Sequence, residues 1–372
     1  MPEVLDWRSA ADPFALVERA AQALKEGQLV GFPTETVYGI AANVWRSDAV
    51  ERLAQAKGRS EDKPMALAIE SAADALDWVP SMSPVGRRLA HRCWPGPLTL
   101  VCGEGITRGL ANQLPETVRQ HVCPQGTIGL RVPAHEAIQQ VLGRMPGPLV
   151  LTSANRSGER EAVTCDELVR NVGDSLALVI ADDRSPQGKA STVVRVEGNS
   201  WKVLREGAVE AATLEQLSGC MIVFVCTGNT CRSPLAEALF KKLLAEQLET
   251  DPEELPSRGF MVLSAGLAAY PGCRATPEAV EAARELGADL SKHRSRPLTA
   301  ELAGQADYII AMTRTHLMAL EASLGLANEP RLLGGDADDV PDPIGGDQEV
   351  YRECARRILS HLETLLPEVL RR

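Results

Sequence analysis

Residues 225–233 have the sequence Val-Cys-Thr-Gly-Asn-Thr-Cys-Arg-Ser, which combines a cysteine with residue types that bind oxyanions. The apolar run 221–225 before the loop predicts a buried parallel strand, and Ser233-Pro234 predicts the start of a helix. A strand, a tight loop and a helix N-terminus together direct backbone N–H groups and the helix dipole at one point. The same surroundings favour the thiolate form of a cysteine. The pattern therefore predicts a phosphate-binding loop with Cys226 as a sulfur nucleophile.

Each residue of this loop has a predicted role. Arg232 would bind two equatorial oxygens of the phosphoryl group with its planar guanidinium. Gly228 and Asn229 allow positive φ angles, which would turn N–H groups inward. Ser233 could donate a hydrogen bond to the sulfur. The remaining members of the predicted phosphate loop are Thr227, Thr230 and Cys231.

A phosphatase of this kind also needs a group that protonates the leaving group. Asp342 lies in Val-Pro-Asp-Pro-Ile-Gly-Gly, residues 340–346, on a loop that could fold over the site. An Asp-Pro pair is also common in ordinary turns. In combination with the cysteine loop, we predict that Asp342 is the general acid.

Residues 221–372 resemble the low-molecular-weight protein-tyrosine phosphatase family over their whole length. The cysteine loop, the Ser-Ala-Gly turn at 264–266 and the Asp-Pro pair at 342–343 occur in the family's order. The resemblance implies a doubly wound α/β domain with a parallel sheet and a catalytic group of Cys226, Arg232 and Asp342 that needs no cofactor.

Two positions depart from the tyrosine-specific branch of that family, Thr230 and Ile344. Thr230 and the glycines at 345–346 resemble the protein-arginine-phosphatase branch, so phosphoarginine is the first expected substrate and phosphotyrosine the second. Arsenate reduction uses the same fold and is a third alternative, but it passes oxidised sulfur along further cysteines. Only Cys273 and Cys354 follow in the sequence, far apart, so we rank this alternative low.

The first half of the chain shows helical and strand periodicity in alternation. The predicted strands are 29–32, 98–102, 128–132, 149–152, 176–180 and 192–196. The predicted helices are 13–27, 48–56, 84–93, 134–142 and 166–172. This alternation predicts an α/β domain with a twisted, mixed sheet.

Polar clusters stand at the predicted ends of these elements, where α/β proteins place ligands. Taken singly, each is more often a helix cap or a turn, and the half contains no Walker loop or Rossmann glycine motif. Together and in order they resemble the YrdC-like family, which makes threonylcarbamoyl-AMP. The match covers about residues 12–210 and includes 32–39, 56–59, 94–99, 153–155, 191–194 and 204–205.

The family's reaction joins L-threonine, bicarbonate and ATP and releases pyrophosphate, so positioning and charge neutralisation would carry catalysis. The resemblance implies Mg²⁺ bound with ATP, and we identify no metal ligand in the protein. The implied ATP site is Lys57, Arg59, Lys63, Thr127, Ser153, Asn155 and Arg205. The implied threonine site is Thr36, Arg131 and Ser191, with Arg131 pairing with the substrate carboxylate.

Three positions depart from the pattern of this family. Ala68 and Lys63 stand where the longer branch often has histidine and asparagine, and Glu206 stands where proline is usual. The shorter branch also lacks the histidine and the extra C-terminal domain, so synthase activity remains the expectation. The family's role implies that a tRNA-modifying transferase complex uses the product.

Length and composition frame these expectations. A chain of 372 residues predicts two domains, which we place at 10–212 and 221–372, joined by a linker at 213–220. The net charge of −11 argues against tight electrostatic binding of a nucleic-acid backbone. The alternative for the first half is nevertheless an RNA-binding module without synthase activity.

The nine cysteines are scattered and odd in number, which favours a reducing compartment. The N-terminus lacks the pattern of a signal peptide, and no apolar run reaches transmembrane length. We therefore expect a cytoplasmic bifunctional enzyme whose second half acts on a phosphorylated protein, with no membrane partner.

Overall fold

A computed structural model describes residues 1–58, 63–103, 106–323, 329–335 and 338–371 of the chain. Backbone contacts divide the chain into two units, Met1–Leu217 and Ser218–Arg372. The structure differs from the predicted linker at 213–220, because that segment is helical up to Ser218. Leu214 is fully buried and belongs to the core of the first unit.

The first unit alternates strands and helices, as the periodicity predicts. Its strands within the described residues are β1 (Glu3–Asp6), β2 (Val30–Phe32), β3 (Gly39–Asn43), β4 (Ala66–Ala68), β5 (Leu98–Cys102), β6 (Ile128–Arg131), β7 (Leu149–Ser153), β8 (Leu178–Ala181), β9 (Thr192–Glu197) and β10 (Ser200–Arg205). Its helices there are α1 (Pro13–Lys25), α2 (Ser47–Lys57), α3 (Ala75–Trp78), α4 (Pro84–Cys93), α5 (Glu116–Val122), α6 (Glu136–Leu142), α7 (Cys165–Val172) and α8 (Ala211–Ser218).

These strands form one sheet in the order β1-β8-β2-β3-β7-β4-β6-β5-β9-β10. Strand β4 pairs parallel with β6 and antiparallel with β7, which confirms the predicted mixed sheet. Side chains alternate across a strand, so Ile40 and Ala42 of β3 pack into one apolar cluster and Ala41 packs into another. The sheet thus carries a core on each face.

The second unit is a parallel sheet in the order β12-β11-β13-β14. Its described strands are β11 (Cys220–Cys226), β12 (Phe260–Gly266), β13 (Tyr308–Ala311) and β14 (Arg331–Leu332). Its described helices are α9 (Arg232–Gln247), α10 (Pro277–Glu285), α11 (Ala300–Gln305), α12 (Arg314–Ser323) and α13 (Gln348–Leu370).

All residues of β11 are buried, as expected for a central parallel strand that is covered on both faces. Phe224 packs into a cluster with α9, α10 and α13, whereas Val223 and Val225 pack into a cluster with α11 and α12. This arrangement confirms the predicted doubly wound fold. It also places Cys226 at the carboxyl end of the sheet, directly before the loop that leads into α9.

Among the described residues, no helix combines the length and the apolar character that crossing a membrane requires.

Candidate active sites

The loop between β11 and α9 wraps around the sulfur of Cys226. The backbone N–H of Asn229 lies 3.2 Å from Cys226 Sγ, and Ser233 Oγ lies 3.0 Å from the same sulfur. Asn229 has a φ of 54°, the left-handed conformation that turns its N–H inward. Gly228 does not have a positive φ, so of the two residues only Asn229 adopts the left-handed conformation. The loop thus presents hydrogen-bond donors to a buried thiol.

A buried polar network fixes the asparagine. Its Nδ2 donates to Ser233 Oγ and to Ser264 Oγ, both at 2.9 Å. Ser264 donates in turn to Glu237 Oε2 at 2.6 Å. The ring of His293 lies 2.9 Å from the carbonyl oxygen of Asn229. Sequence reasoning missed Glu237 and His293; the available signal was an acidic residue in the mostly apolar first turns of α9.

Arg232 and Asp342 meet at the same loop. Arg232 is 5% exposed, and its Nη2 donates to Asp342 Oδ2 at 2.5 Å. Its Nη1 donates to the carbonyl oxygen of Val340. Its Nε is buried and has no hydrogen-bond partner among the described residues. A buried donor without a partner is costly, and it is available to an oxyanion at this position.

The second cysteine of the loop, Cys231, faces other hydroxyls. Its sulfur lies 3.5 Å from Tyr351 Oη and 3.6 Å from Thr276 Oγ1, and Thr230 Oγ1 lies 3.7 Å away.

A third cysteine of this unit, Cys354, is buried in α13. Burial raises the pKa of the Cys354 thiol to about 12, so Cys354 stays protonated near neutral pH.

In the first unit, Lys57 lies against the turn that follows β7. Its Nζ donates to the Ser153 carbonyl oxygen at 2.6 Å and to Asn155 Oδ1 at 2.8 Å. Ser153 Oγ donates to Asn155 Oδ1 at 2.6 Å. The structure therefore brings three of the predicted nucleotide residues together. Lys63, which follows Lys57 closely in the sequence, is exposed to solvent. Arg59 lies outside the described residues.

A cleft over the sheet brings in further predicted residues. Those that line it are Thr127, Arg131, Ser153, Ser191 and Arg205, together with Ala68. Arg205 Nη2 donates to the Ser191 carbonyl oxygen at 2.8 Å, and Ser191 Oγ lies 2.9 Å from Thr99 Oγ1. Glu206 is exposed. Two cationic side chains and several hydroxyls thus converge on one cavity.

The guanidinium of Arg131 is held from three directions. Its Nη2 donates to Glu35 Oε1 at 2.7 Å and to Thr36 Oγ1 at 2.8 Å, and its Nε donates to the Gly96 carbonyl oxygen. The second carboxylate oxygen of Glu35 accepts the N–H of Ala134 at 2.9 Å. Sequence reasoning placed Glu35 in a polar cluster but gave it no role. The buried ion pair fixes the direction of the guanidinium.

The donor set of this cleft suits anions. Guanidinium and hydroxyl groups bind phosphate and carboxylate, whereas Mg²⁺ prefers carboxylate and carbonyl oxygens. Among the described residues, no group of three or more histidine, cysteine, aspartate or glutamate side chains could hold a metal.

Comparison with known proteins gives two family matches. A model of the Sua5/YciO/YrdC family, described as telomere recombination, matches residues 22–207. A model of the low molecular weight phosphotyrosine protein phosphatase family matches residues 221–372.

Individual relatives agree with this division. The human threonylcarbamoyl-AMP synthase is 31% identical over 232 residues, which covers 59% of this chain and 76% of that protein. The protein-arginine-phosphatase of Bacillus subtilis is 39% identical over 153 residues, which covers 40% of this chain and 93% of that protein. A solved double variant of Pyrococcus abyssi Sua5 aligns with a TM-score of 0.52 at 25% identity and covers 67% of this chain and 76% of that chain.

Proposed function

Since the chain belongs to the Sua5/YciO/YrdC family in its first half and to the low-molecular-weight phosphatase family in its second, we propose that it is a bifunctional enzyme. The first unit makes threonylcarbamoyl-AMP from L-threonine, bicarbonate and ATP, for the modification of tRNA by a separate transferase complex. The second unit hydrolyses a phosphorylated protein side chain, with phosphoarginine as the favoured substrate. None of the nine cysteines forms a disulfide bond, which supports a cytoplasmic location.

The synthase reaction needs two anions to meet. The nitrogen of L-threonine attacks the carbon of bicarbonate and water leaves, which gives a carbamate. A carbamate oxygen then attacks the α-phosphorus of ATP, and pyrophosphate leaves. The Arg131 guanidinium, oriented by Glu35 and Thr36, would bind the threonine carboxylate beside Ser191. This buried, oriented guanidinium at a cationic cleft is the observation that supports the synthase assignment.

The nucleotide would lie against the basic side of the cleft. Its proposed contacts are Lys57, Arg59, Lys63, Thr127, Ser153, Asn155 and Arg205. Mg²⁺ bound to the ATP phosphates would reduce their charge, and the cationic side chains would neutralise the remainder. The protein supplies alignment and charge rather than a covalent nucleophile.

Isotope-labelled bicarbonate tests the synthase. With L-threonine and ATP, the chain should produce a labelled adenylate and one pyrophosphate per product, and Arg131→Ala should abolish both. Salt-sensitive RNA binding without pyrophosphate release would instead support an RNA-binding module.

The geometry of the loop supports the following phosphatase reaction. Cys226 Sγ attacks phosphorus, the bond to the leaving group breaks, and Asp342 gives that group a proton. Water then hydrolyses the cysteinyl phosphate with Asp342 as base. The phosphoryl oxygens would bind Arg232 Nε and Nη2, so the phosphoryl group must displace the Asp342 carboxylate from Nη2. The freed carboxyl group is then next to the leaving group. The unpartnered buried Nε supports this assignment.

Three observations favour phosphoarginine over phosphotyrosine. Thr230 is a small polar residue in the loop, and Ile344 after the general acid is an exposed aliphatic residue, so it offers no aromatic wall for a phenyl ring. The relative named as a protein-arginine-phosphatase is 39% identical to this half. The buried, protonated thiol of Cys354 is a poor sulfur relay, which disfavours arsenate reduction.

Matched phosphoarginine and phosphotyrosine peptides test the substrate. The wild-type chain should prefer phosphoarginine, and Thr230→Ile should shift the ratio of kcat/KM toward phosphotyrosine, whereas Thr230→Ser should not. Cys226→Ser should abolish both activities. A ratio that does not move in Thr230→Ile would contradict the arginine assignment.

A further inference from the structure

A hydrogen-bonded chain of three side chains lies beside the phosphate loop and has no role in the reaction described above. His316 Nε2 lies 2.9 Å from Thr227 Oγ1, and His316 Nδ1 lies 2.8 Å from Thr313 Oγ1. Both ring nitrogens are therefore engaged, and the residue is 5% exposed. Thr227 directly follows Cys226 and is exposed to solvent. The chain thus links a buried ring to the residue next to the nucleophile.

The imidazole of His316 is neutral near neutral pH. Burial lowers its pKa below the usual 6.5, and the nearby Arg232 guanidinium lowers it further. The carboxylates of Asp342 and Asp339 act in the opposite direction but do not reverse the shift. A neutral imidazole carries one N–H and one acceptor nitrogen, so its two partners must play opposite roles.

One assignment of the hydrogen-bond directions satisfies the groups at the start of α12, where Thr313 Oγ1 accepts the backbone N–H of His316 at 3.3 Å. We assign the hydroxyl proton of Thr313 to the hydrogen bond with His316 Nδ1, so that Nε2 carries the ring proton and donates it to Thr227 Oγ1. In this arrangement the two threonine hydroxyls and the ring all have complementary partners. Thr227 keeps its own proton and one lone pair for a ligand.

We propose that Thr227 is a specificity-determining residue of the phosphatase site and that His316 positions its hydroxyl. This inference rests on the proposed phosphatase function and extends it to the leaving group. A phosphorylated guanidinium presents N–H donors beside phosphoryl oxygens, and a hydroxyl with a free proton and a free lone pair can bind both. An aryl phosphate has no such donors. Because His316 already orients the hydroxyl, little rotational freedom is lost on binding.

Substitutions at Thr227 test the specificity. In Thr227→Val, the ratio of kcat/KM for a phosphoarginine peptide to that for a matched phosphotyrosine peptide should fall about tenfold, the effect of losing one hydrogen bond to a charged group. Thr227→Ser keeps the hydroxyl and should hold the ratio within about threefold of the wild type. Thr315→Val, an exposed threonine of the same helix, is the matched control and should leave the ratio unchanged.

Substitutions at His316 test the positioning. His316→Ala should lower the same ratio, and His316→Gln, which retains an N–H donor, should restore part of it. In the Thr227→Val background, His316→Ala should lower the ratio no further, because the ring acts through the hydroxyl. Circular dichroism and thermal unfolding of each variant establish that the chain is folded.

Two results would overturn the inference: an unchanged ratio in folded Thr227→Val, or effects of the two substitutions that simply add. A wild-type preference for phosphotyrosine would reject the proposed substrate, yet the shift caused by Thr227→Val would still be measured. Failure of the proposed function and failure of this inference are therefore distinguishable.

Discussion

Arg232 and Asp342 show how one residue pair serves both binding and catalysis. Their ion pair occupies the guanidinium nitrogen that a phosphoryl group needs. Asp342→Asn removes the competing charge and the proton donor together. We expect kcat for phosphopeptides to fall about 10²- to 10⁴-fold, while inorganic phosphate inhibits the variant at lower concentration than the wild type. Glu363→Gln, an exposed residue of α13, is the control and should change neither value. Weaker phosphate inhibition in Asp342→Asn would contradict the displacement of the carboxylate.

In the first unit, Glu35 is a positioning residue, because it contacts Arg131 and not the proposed substrate. Glu35→Gln retains the side-chain shape but leaves the buried guanidinium without its counter-ion. We expect the KM for L-threonine to rise about tenfold and the KM for ATP to change less than threefold. Glu136→Gln, which changes an exposed residue close to Arg131 in the sequence, serves as control. An equal rise in both KM values would show that Glu35 has a general structural role instead.

At the scale of the elements, two segments that are distant in sequence from the phosphate loop each contact it with a histidine side chain. His293 contacts the carbonyl oxygen of Asn229, and His316 at the start of α12 contacts Thr227. Burial lowers the pKa of both rings below 6.5. The unfolded chain therefore binds protons at a higher pH than the folded chain does. The free energy of unfolding of this unit should fall as the pH drops below about 6.5.

Hydrogen exchange of the β11 amides in the full chain measures this effect. Protection should decrease from pH 7.5 to 5.5 after correction for the intrinsic exchange rate, and His293→Gln should reduce that decrease. Constant protection across this range would contradict the assignment of neutral buried rings.

The elements also show what the sequence could predict. The strand at 98–102 and the helix at 84–93 are confirmed at both ends, because an apolar run and a Ser-Pro helix start mark them locally. Strand β4 was missed because its three residues, Ala-Leu-Ala, include no β-branched or aromatic side chain, and β10 because its side chains are mostly exposed. The Glu35–Arg131 contact joins residues 96 positions apart. Such a pairing depends on sheet order, for which the local sequence has no signal.

At the scale of the whole molecule, the placement of α8 decides where the first unit ends. The sequence pattern predicts an end at 212, but Leu214 of α8 is fully buried in the first core. In addition, Arg92 Nη1 donates to the Leu217 carbonyl oxygen at 2.7 Å. Residues 213–217 therefore contribute packing to the first unit and are more than a connection.

Two truncations test this boundary. A fragment of residues 1–217 should unfold at a higher temperature than a fragment of residues 1–212, because the shorter one loses the leucine and leaves a cavity worth about 2–5 kcal/mol. Leu214→Ala in the longer fragment should reproduce most of the difference, whereas Gln216→Ala, exposed on the same helix, should not. Calorimetry of the three proteins beside the unsubstituted 1–217 fragment measures these shifts. Equal unfolding temperatures for the two fragments would show that Leu214 does not stabilise the first unit. The end of that unit would then lie at 212.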